Sequence, residues 1–411
     1  MPRFAHMSDL HIGAFRQEEL REPLLRAFES SMDICMERNV DFVIMAGDVF
    51  DSNIPDLGAV TRATRKMQEA RARGIRFYVV YGSHDFSPNR SSMIDVLESA
   101  GVFVKVERLS EEGGRARLRF VTDETGAKIC GISGRKLALD RKTYGELDAA
   151  DLEGEKGFKI FVFHGAIEEL KPEGLERMDA MPAAHLPKGF DYYAGGHVHF
   201  RSVNSLEGRE NIVYPGPLFG GDLRDLEAAA RGLQRGFYMV DFDEKVTDVS
   251  FVPVKTCEVV ELEYSAQGSD PSEVNAGLRR LAGDVAGKVV ILKVFGELAA
   301  GKTSEVDFAA ARKGLLDAGA AFVLVSSARL SARESEPLES RSPSETEEET
   351  FRGAMARVRA SSARLKGDEG LAVSMSLLRA LREGRKANET KADYEARMLG
   401  AGRAILGLDV P

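Results

Sequence analysis

The chain has 411 residues, of which 43% are hydrophobic and 29% charged, with a formal net charge of −9. That length calls for two or three domains with real cores, and no apolar run approaches the eighteen residues of a membrane-spanning helix. Cys35, Cys130 and Cys257 are too few and too far apart for a disulfide framework or a thiolate metal site, and the acidic balance argues mildly against a nucleic-acid partner without excluding one.

In chain order, short apolar runs alternate with amphipathic ones. Residues 4–7 ("FAHM"), 42–45 ("FVIM"), 77–81 ("FYVVY"), 159–163 ("KIFVF"), 191–194 ("DYYA") and 237–243 ("FYMVDFD") read as strands. Leu25, Phe28, Met32 and Cys35 recur at helical spacing, and 60–73 and 93–99 read as helices. This alternation predicts an α/β fold. From about residue 253 the texture changes. Strands at 257–264, 289–295 and 321–326, with amphipathic segments at 272–287 and 308–316, make a compact α+β unit without a catalytic cluster. Residues 332–350 ("ARESEPLESRSPSETEEET") are nearly devoid of apolar side chains and read as an exposed linker. Helical patterns then return on Phe351, Met355 and Val358, on Leu371, Met375, Leu378 and Leu381, and on Tyr394, Met398 and Ile405. The arginines of this tail suit a partner helix, a nucleic-acid contact or a solvated face. The N-terminal "MPRFAHMSDLH" turns polar too early for a signal peptide, and a reducing cytoplasm is the expected location.

The polar motifs share one position: each follows a strand. "SDLH" follows "FAHM", "GDVFD" follows "FVIMA", "GSHD" follows "FYVVY", "HGAIEE" follows "KIFVF", and "GGHVHF" follows "DYYA". In open α/β sheets, ligands gather outside the carboxyl ends of strands, so these turns can meet. Five of the seven histidines (His11, His84, His164, His197 and His199) lie in them, with Asp9 and Asp48. A set of imidazoles and carboxylates without thiolate suits manganese, iron or zinc, and there are enough ligands for two ions. Each motif alone is weak, since a histidine after a strand is usually an ordinary surface or hydrogen-bonded one. The ordered series is specific. His6, inside the first strand, and His185, in the "AAHLPKG" loop, read as structural. Phe200 and Arg201 read as rim residues.

The ordered motifs Asp9-Leu10-His11, Gly47-Asp48, Gly82-Ser83-His84-Asp85, His164-Gly165 and Gly196-His197-Val198-His199 resemble the calcineurin-like metallophosphoesterases. "MSDLHIG", "DFVIMAGDVFDS", "GFDYYAGGHVHF" and "VYPGP" further resemble the SbcD-type (meiotic-recombination-eleven) nucleases of double-strand-break repair, over about residues 1–220. The resemblance implies a four-layer α/β sandwich, two β-sheets flanked by helices, as a nuclease domain over 1–252. An α+β capping domain over 253–330, an acidic linker over 331–350 and a helical, ATPase-binding tail over 351–411 would follow. It implies that Asp9, His11 and His199 hold one divalent metal ion, that His164 and His197 hold a second, and that Asp48 bridges them, with manganese the expected ion. His84 would face the scissile phosphate rather than a metal, and Asp85 would orient it.

Ser83 departs from the family, which usually has asparagine as a ligand of the second metal at this position. Three outcomes are open: weak ligation, directly or through water; a loosely filled second site; or a relative that binds without cutting. Asp51 stands where some of these nucleases carry a histidine, and Pro217 replaces a more usual serine; no role is carried onto either. The resemblance implies a metal-dependent DNA exonuclease and endonuclease, a coiled-coil ABC-type ATPase partner, a homodimer and no membrane. Its location would be cytoplasmic, nucleoid-associated in a prokaryote. The alternatives are hydrolysis of small phosphate esters and a catalytically weakened DNA-binding scaffold.

Overall fold

The computed structural model describes residues 1–86, 91–112, 115–134, 140–172, 178–281, 283–332, 351–352, 365, 367–386 and 389–408. It divides into two compact units, Met1–Ala332 and Arg333–Pro411.

The first unit is built on two six-stranded sheets. One runs Val246–Pro253, Gly236–Phe242, Arg3–Met7, Phe42–Ala46, Arg76–Val80, Val104–Lys105. The four strands from Arg3–Met7 to Val104–Lys105 are parallel, and the other two add antiparallel. The second sheet runs Ser202–Leu206, Arg209–Tyr214, Tyr192–Gly196, Lys159–His164, Lys128–Ile132, Val121–Thr122, and its centre is parallel. Central strands buried on both faces read as continuous apolar runs, which is why "FVIM" and "KIFVF" stand out in the sequence. The two sheets face each other across one core of Phe4, Phe42, Ile44, Ile160, Val162 and Tyr192. The ring of Tyr192 meets Phe4 edge-on at 5.1 Å, and its hydroxyl pairs with His6 Nδ1 at 3.0 Å. Burial pushes the His6 imidazole down to about 3, so it stays neutral in the core.

The helices Glu18–Glu37 and Leu57–Ala72 cover the outer face of the first sheet, burying Phe28, Met32, Ala63 and Met67 against Val43 and Met45. Arg62 ties them together through Glu22 and Glu29, each at 2.5 Å. The second sheet's outer face buries Phe161, Phe163 and Tyr193 under Leu152, Leu186 and Phe190. Helices, sheet, sheet and an outer layer with short helices make the expected four-layer arrangement.

The strands Val259–Ser265, Val289–Leu298 and Phe322–Ala332 form a parallel three-stranded sheet, with helices Pro271–Arg279 and Phe308–Asp317 between them in the chain. Val290 and Leu292 pack with Val274, Leu278 and Leu315. Their alternates Val289 and Ile291, with Val259 and Phe322, enter the core that also holds Met7, Phe28 and Val43. The 272–287 pattern stops as a helix at Arg279. The strands Lys128–Ile132, Arg209–Tyr214 and Val246–Pro253 and the hairpin Leu109–Glu112/Arg115–Leu118 were not foreseen. In the tail the structure shows helices Gly367–Arg382 and Lys391–Leu406. The linker from 333 on, and the helix expected on Met355 and Val358, lie outside the described residues. No helix among the described residues is long and apolar enough to cross a membrane.

Candidate metal centre

Five strands end at the same place. The first sheet delivers Asp9 and His11 after Met7, Asp48 after Ala46, and Ser83, His84 and Asp85 after Val80; the second delivers His164 at the end of its strand and His197 and His199 after Gly196. The turns are tight enough to force unusual backbone. Asp9, His11, Asp48 and His197 all have positive φ, between 45° and 85°. This left-handed region is costly for such residues, and strain of this kind concentrates at functional sites. Gly47 (φ 84°) and Gly196 permit the crossing of the two sheets: a Cβ on Gly47 would strike the His164 ring, and one on Gly196 would strike the carbonyl of Ala46.

Three groups of side chains bring donor atoms within 4.8 Å of one another: Asp9, His11 and His199; His11, Asp48 and His84; and Asp48, His164 and His197. Asp9 accepts the His197 amide at 3.0 Å and the Ser8 hydroxyl at 2.5 Å, and lies 3.7 Å from His199 Nε2. Nε2 of His11 faces Nε2 of His199 at 3.4 Å, an arrangement better suited to a shared cation than to one ring bonding the other. The Nδ1 of His164 is committed to the Ala46 carbonyl at 2.8 Å. Its Nε2 is thereby turned toward Asp48 Oδ2 at 3.2 Å, buried and without a hydrogen-bond partner. Buried nitrogens converging on two carboxylates fit divalent cations; His84 falls in one of the groups and Ser83 in none.

The charged groups of the site shift one another. Burial lowers His164, but Asp48 outweighs it and raises the imidazole to about 10. His199 is likewise lowered by burial yet raised to about 9 by Asp225 and Asp9. Burial raises Asp48, and His164 and His11 more than reverse this, holding it well below the usual carboxylate range. Burial and the neighbouring His164 charge push His197 down to about 4, so its ring is neutral.

Asp85 does a different job from the expected one. Its buried carboxylate accepts the backbone N–H groups of Val49 (3.1 Å), Phe50 (2.9 Å) and Gly82 (2.9 Å), stitching two strand-end turns together. Burial and the nearby Asp48 raise it to about 7. The His84 ring is held instead by Asp51, whose main-chain carbonyl accepts from Nδ1 at 2.8 Å. The Asp51 carboxylate also lies 3.3 Å from His11 Nδ1, so one residue touches both rings. Backbone N–H of His84 donates to Asp48 Oδ1 at 2.8 Å, and its side chain remains 43% exposed. Ser83 is half-buried, and its hydroxyl has no hydrogen-bond partner among the described residues.

Sequence reasoning carried no role onto Asp51 and missed Asp225 and Arg235. Asp225 sits in the first turn of helix Leu223–Ala230 and accepts from His199 Nδ1 at 2.9 Å, leaving Nε2 for a metal. Arg235 clamps this pair, with Nη2 on Asp225 Oδ1 (3.1 Å) and Nη1 on the His199 carbonyl (2.7 Å). Asp222 caps that helix by accepting the Asp225 amide at 3.0 Å, a local signal that says nothing of His199. His185 lies on the short turn Ala183–His185 and belongs to none of the three groups. Beyond His199, Arg201 lies over the Phe251 ring at 4.3 Å while Phe200 stays exposed.

Residues 2–201 match the calcineurin-like phosphoesterase family. Within it, the chain is similar to the DNA double-strand break repair protein Mre11 of Archaeoglobus fulgidus, at 26% identity over 286 residues covering 66% of this chain and 63% of the relative. It is similar to the protein of that name from Methanopyrus kandleri, at 26% identity over 62% of this chain and 57% of the relative. A metallophosphoesterase of Bacillus subtilis, YhaO, is 26% identical over 58% of this chain and 56% of its own length. The chain thus spans about 56–63% of the length of these relatives.

Proposed function

We propose that the chain is a metal-dependent phosphodiesterase that cuts DNA as an exonuclease and endonuclease, using two divalent cations. The observation that carries this reading is the pair of donor groups Asp9–His11–His199 and Asp48–His164–His197 at the joined ends of two sheets. Asp9, His11 and His199 would hold one ion and His164 and His197 the other, with Asp48 between them and Ser83 a weak participant on the second side. Manganese is the expected ion. Bound divalent cations supply Lewis acidity and neutralise charge on the phosphodiester.

The protein's own groups do the rest. Asp225 and the Ala46 carbonyl fix His199 and His164 through Nδ1, so each ring offers Nε2 without reorganising. The Asp51 carbonyl fixes His84 in the same sense, leaving its half-exposed ring free to meet a phosphate oxygen or protonate the departing alkoxide. Asp85 fixes the backbone from which His84 projects.

The Mre11 relatives support DNA as substrate and break repair as setting. A coiled-coil ABC-type ATPase is the proposed partner of the tail. Exposed Leu381, Leu399 and Leu408 on or beside its helices give such a partner apolar purchase. A homodimer, a location in the cytoplasm or on the nucleoid, and a capping role for 253–330 belong to the same proposal. A manganese titration tests it, with binding followed by calorimetry and cutting of single- and double-stranded DNA in parallel. Two binding events, with cutting tracking the weaker, are expected. One tight event with no cutting would favour the scaffold reading that Ser83 leaves open. Hydrolysis of small phosphate esters with DNA left intact would favour the small-ester reading.

A further inference from the structure

Helix Leu223–Ala230 is only eight residues long and is held from two sides. Asp225 serves the metal centre. Its carboxylate accepts from His199 Nδ1 at 2.9 Å and from the Gly221 amide at 2.9 Å, and Arg235 Nη2 donates to it at 3.1 Å. Glu227 follows two residues later, about 200° further round the helix, and so projects the opposite way. Its Oε1 lies 2.9 Å from Nζ of Lys293, on strand Val289–Leu298 of the three-stranded sheet. The same ammonium lies 2.8 Å from Glu261 Oε2, on the neighbouring strand Val259–Ser265. Leu226, between the two acids, is buried in the apolar cluster that also takes Val259 and Ile291.

The helix thus meets the sheet through two kinds of contact, and they do different things. Apolar packing is non-directional, so alone it would let a short helix turn or slide. Lys293 shares one strand face with Val289 and Ile291, which are completely buried, and is itself only 7% exposed. An apolar side chain there would often serve stability as well, because desolvating charges costs much of what their pairing returns. What the lysine adds is direction. An ammonium bridging two carboxylates fixes one rotation of Glu227 over the sheet, and with it one rotation of Asp225 against His199. We infer that Glu227, gripped by Lys293, is a positioning residue for the metal centre, so that the α+β sheet tunes metal affinity at His199. The inference rests on the metal-centre reading above and adds to it a route by which a shift of the sheet alters cation binding.

Manganese calorimetry on the full chain tests it without reference to cutting. Glu227→Ala releases the helix while Lys293 keeps Glu261 as its counter-charge, so the fold is retained. It should weaken the manganese event assigned to Asp9, His11 and His199 by about fivefold or more, the low end of coupling between sites. Glu227→Gln keeps an oxygen acceptor for Lys293 and should recover most of that loss. Leu315→Ala, at a residue that packs with Val274 and Leu278 rather than with Leu226, should lower the unfolding temperature and leave the manganese event unchanged. In the Asp225→Ala background, where the helix no longer holds His199, Glu227→Ala should have no further effect. If the wild-type chain binds manganese and Glu227→Ala binds it equally, the inference fails while the metal centre stands. An equal loss in Leu315→Ala, or full additivity with Asp225→Ala, would also overturn it, by reducing the effect to general loosening. A wild-type chain that binds no manganese would remove the metal centre and this inference together.

Discussion

Ser83 and His84 are neighbours with separable tasks. With His84 replaced by alanine, both donor groups still contain their other ligands, so manganese binding should survive. DNA cleavage should fall by roughly 10²–10⁴-fold, the range of a positioned acid or base. Cutting at the normal rate would remove His84 from the chemistry. Ser83→Asn restores a longer carbonyl donor and should tighten the weaker manganese event roughly tenfold, the scale on which metal-site residues act. An unchanged titration would mean that Ser83 lies off the second site. Protonation supplies another test. His164 and His199, raised to about 10 and about 9, are both charged at pH 7 in the metal-free protein, and a cation must expel those protons. Raised values make the proton the competitor, so apparent affinity should climb with pH below 9, more slowly between 9 and 10, and level off above. Calorimetry in buffers of different ionisation enthalpy should register release of about two protons near pH 7. A flat profile from pH 6 to 8 would contradict the coupling. At this scale the sequence exposed the candidate ligands because short motifs carry them. Asp51 stayed hidden because its contribution to His84 comes from a main-chain carbonyl, which any residue possesses.

Helix Leu223–Ala230 shows what motif reading leaves out at the scale of an element. Asp225 on one turn holds His199, and Glu227 reaches Lys293 of the three-stranded sheet at 2.9 Å. Lys293 is 7% exposed and bonds Glu261 as well, at 2.8 Å, so the helix joins the metal centre to the α+β sheet. Asp225→Ala should weaken manganese binding about 10–100-fold by freeing the His199 ring. It should also destabilise the fold by about 3–5 kcal/mol, because Arg235 is left as a buried, uncompensated charge. Asp225→Asn keeps an acceptor for His199 and should recover part of the metal affinity without the full stability. Calorimetry and thermal unfolding of the two variants separate these effects, and unchanged affinity in Asp225→Ala would deny the helix its role. The strands bearing the candidate ligands were legible because their buried runs are continuous and end in polar turns. "LSEE" and "RARL" were not, since their paired, charged residues carry no apolar period to read. The pattern at 272–287 overran its helix because Val285 is buried in the same α+β core as Val274 and Leu278 without being helical.

For the whole molecule, the informative boundary is the one the sequence texture placed near residue 253. Beyond it the chain passes from the two six-stranded sheets to a three-stranded parallel one. Yet Val259, Val289, Ile291 and Phe322 are buried in the same cluster as Met7, Phe28 and Val43, so Met1–Ala332 packs as one unit. Sequence patterning marks which face of a strand is apolar but not what that face packs against, and so cannot distinguish an independent domain from one that completes its neighbour's core. Burial of side chains of this size contributes about 1.5–3 kcal/mol each, so losing four rivals the ~5–15 kcal/mol by which a domain is stable. A chain cut after residue 252 would also strip Lys293 and Glu261 from Glu227, loosening the helix that holds His199. The fragment 1–252 should therefore unfold at a markedly lower temperature than 1–332, aggregate through its uncovered apolar face, and bind manganese more weakly. If 1–252 melts as cooperatively as 1–332 with the same metal affinity, the α+β unit is an appendage and its link to the metal centre carries no energy.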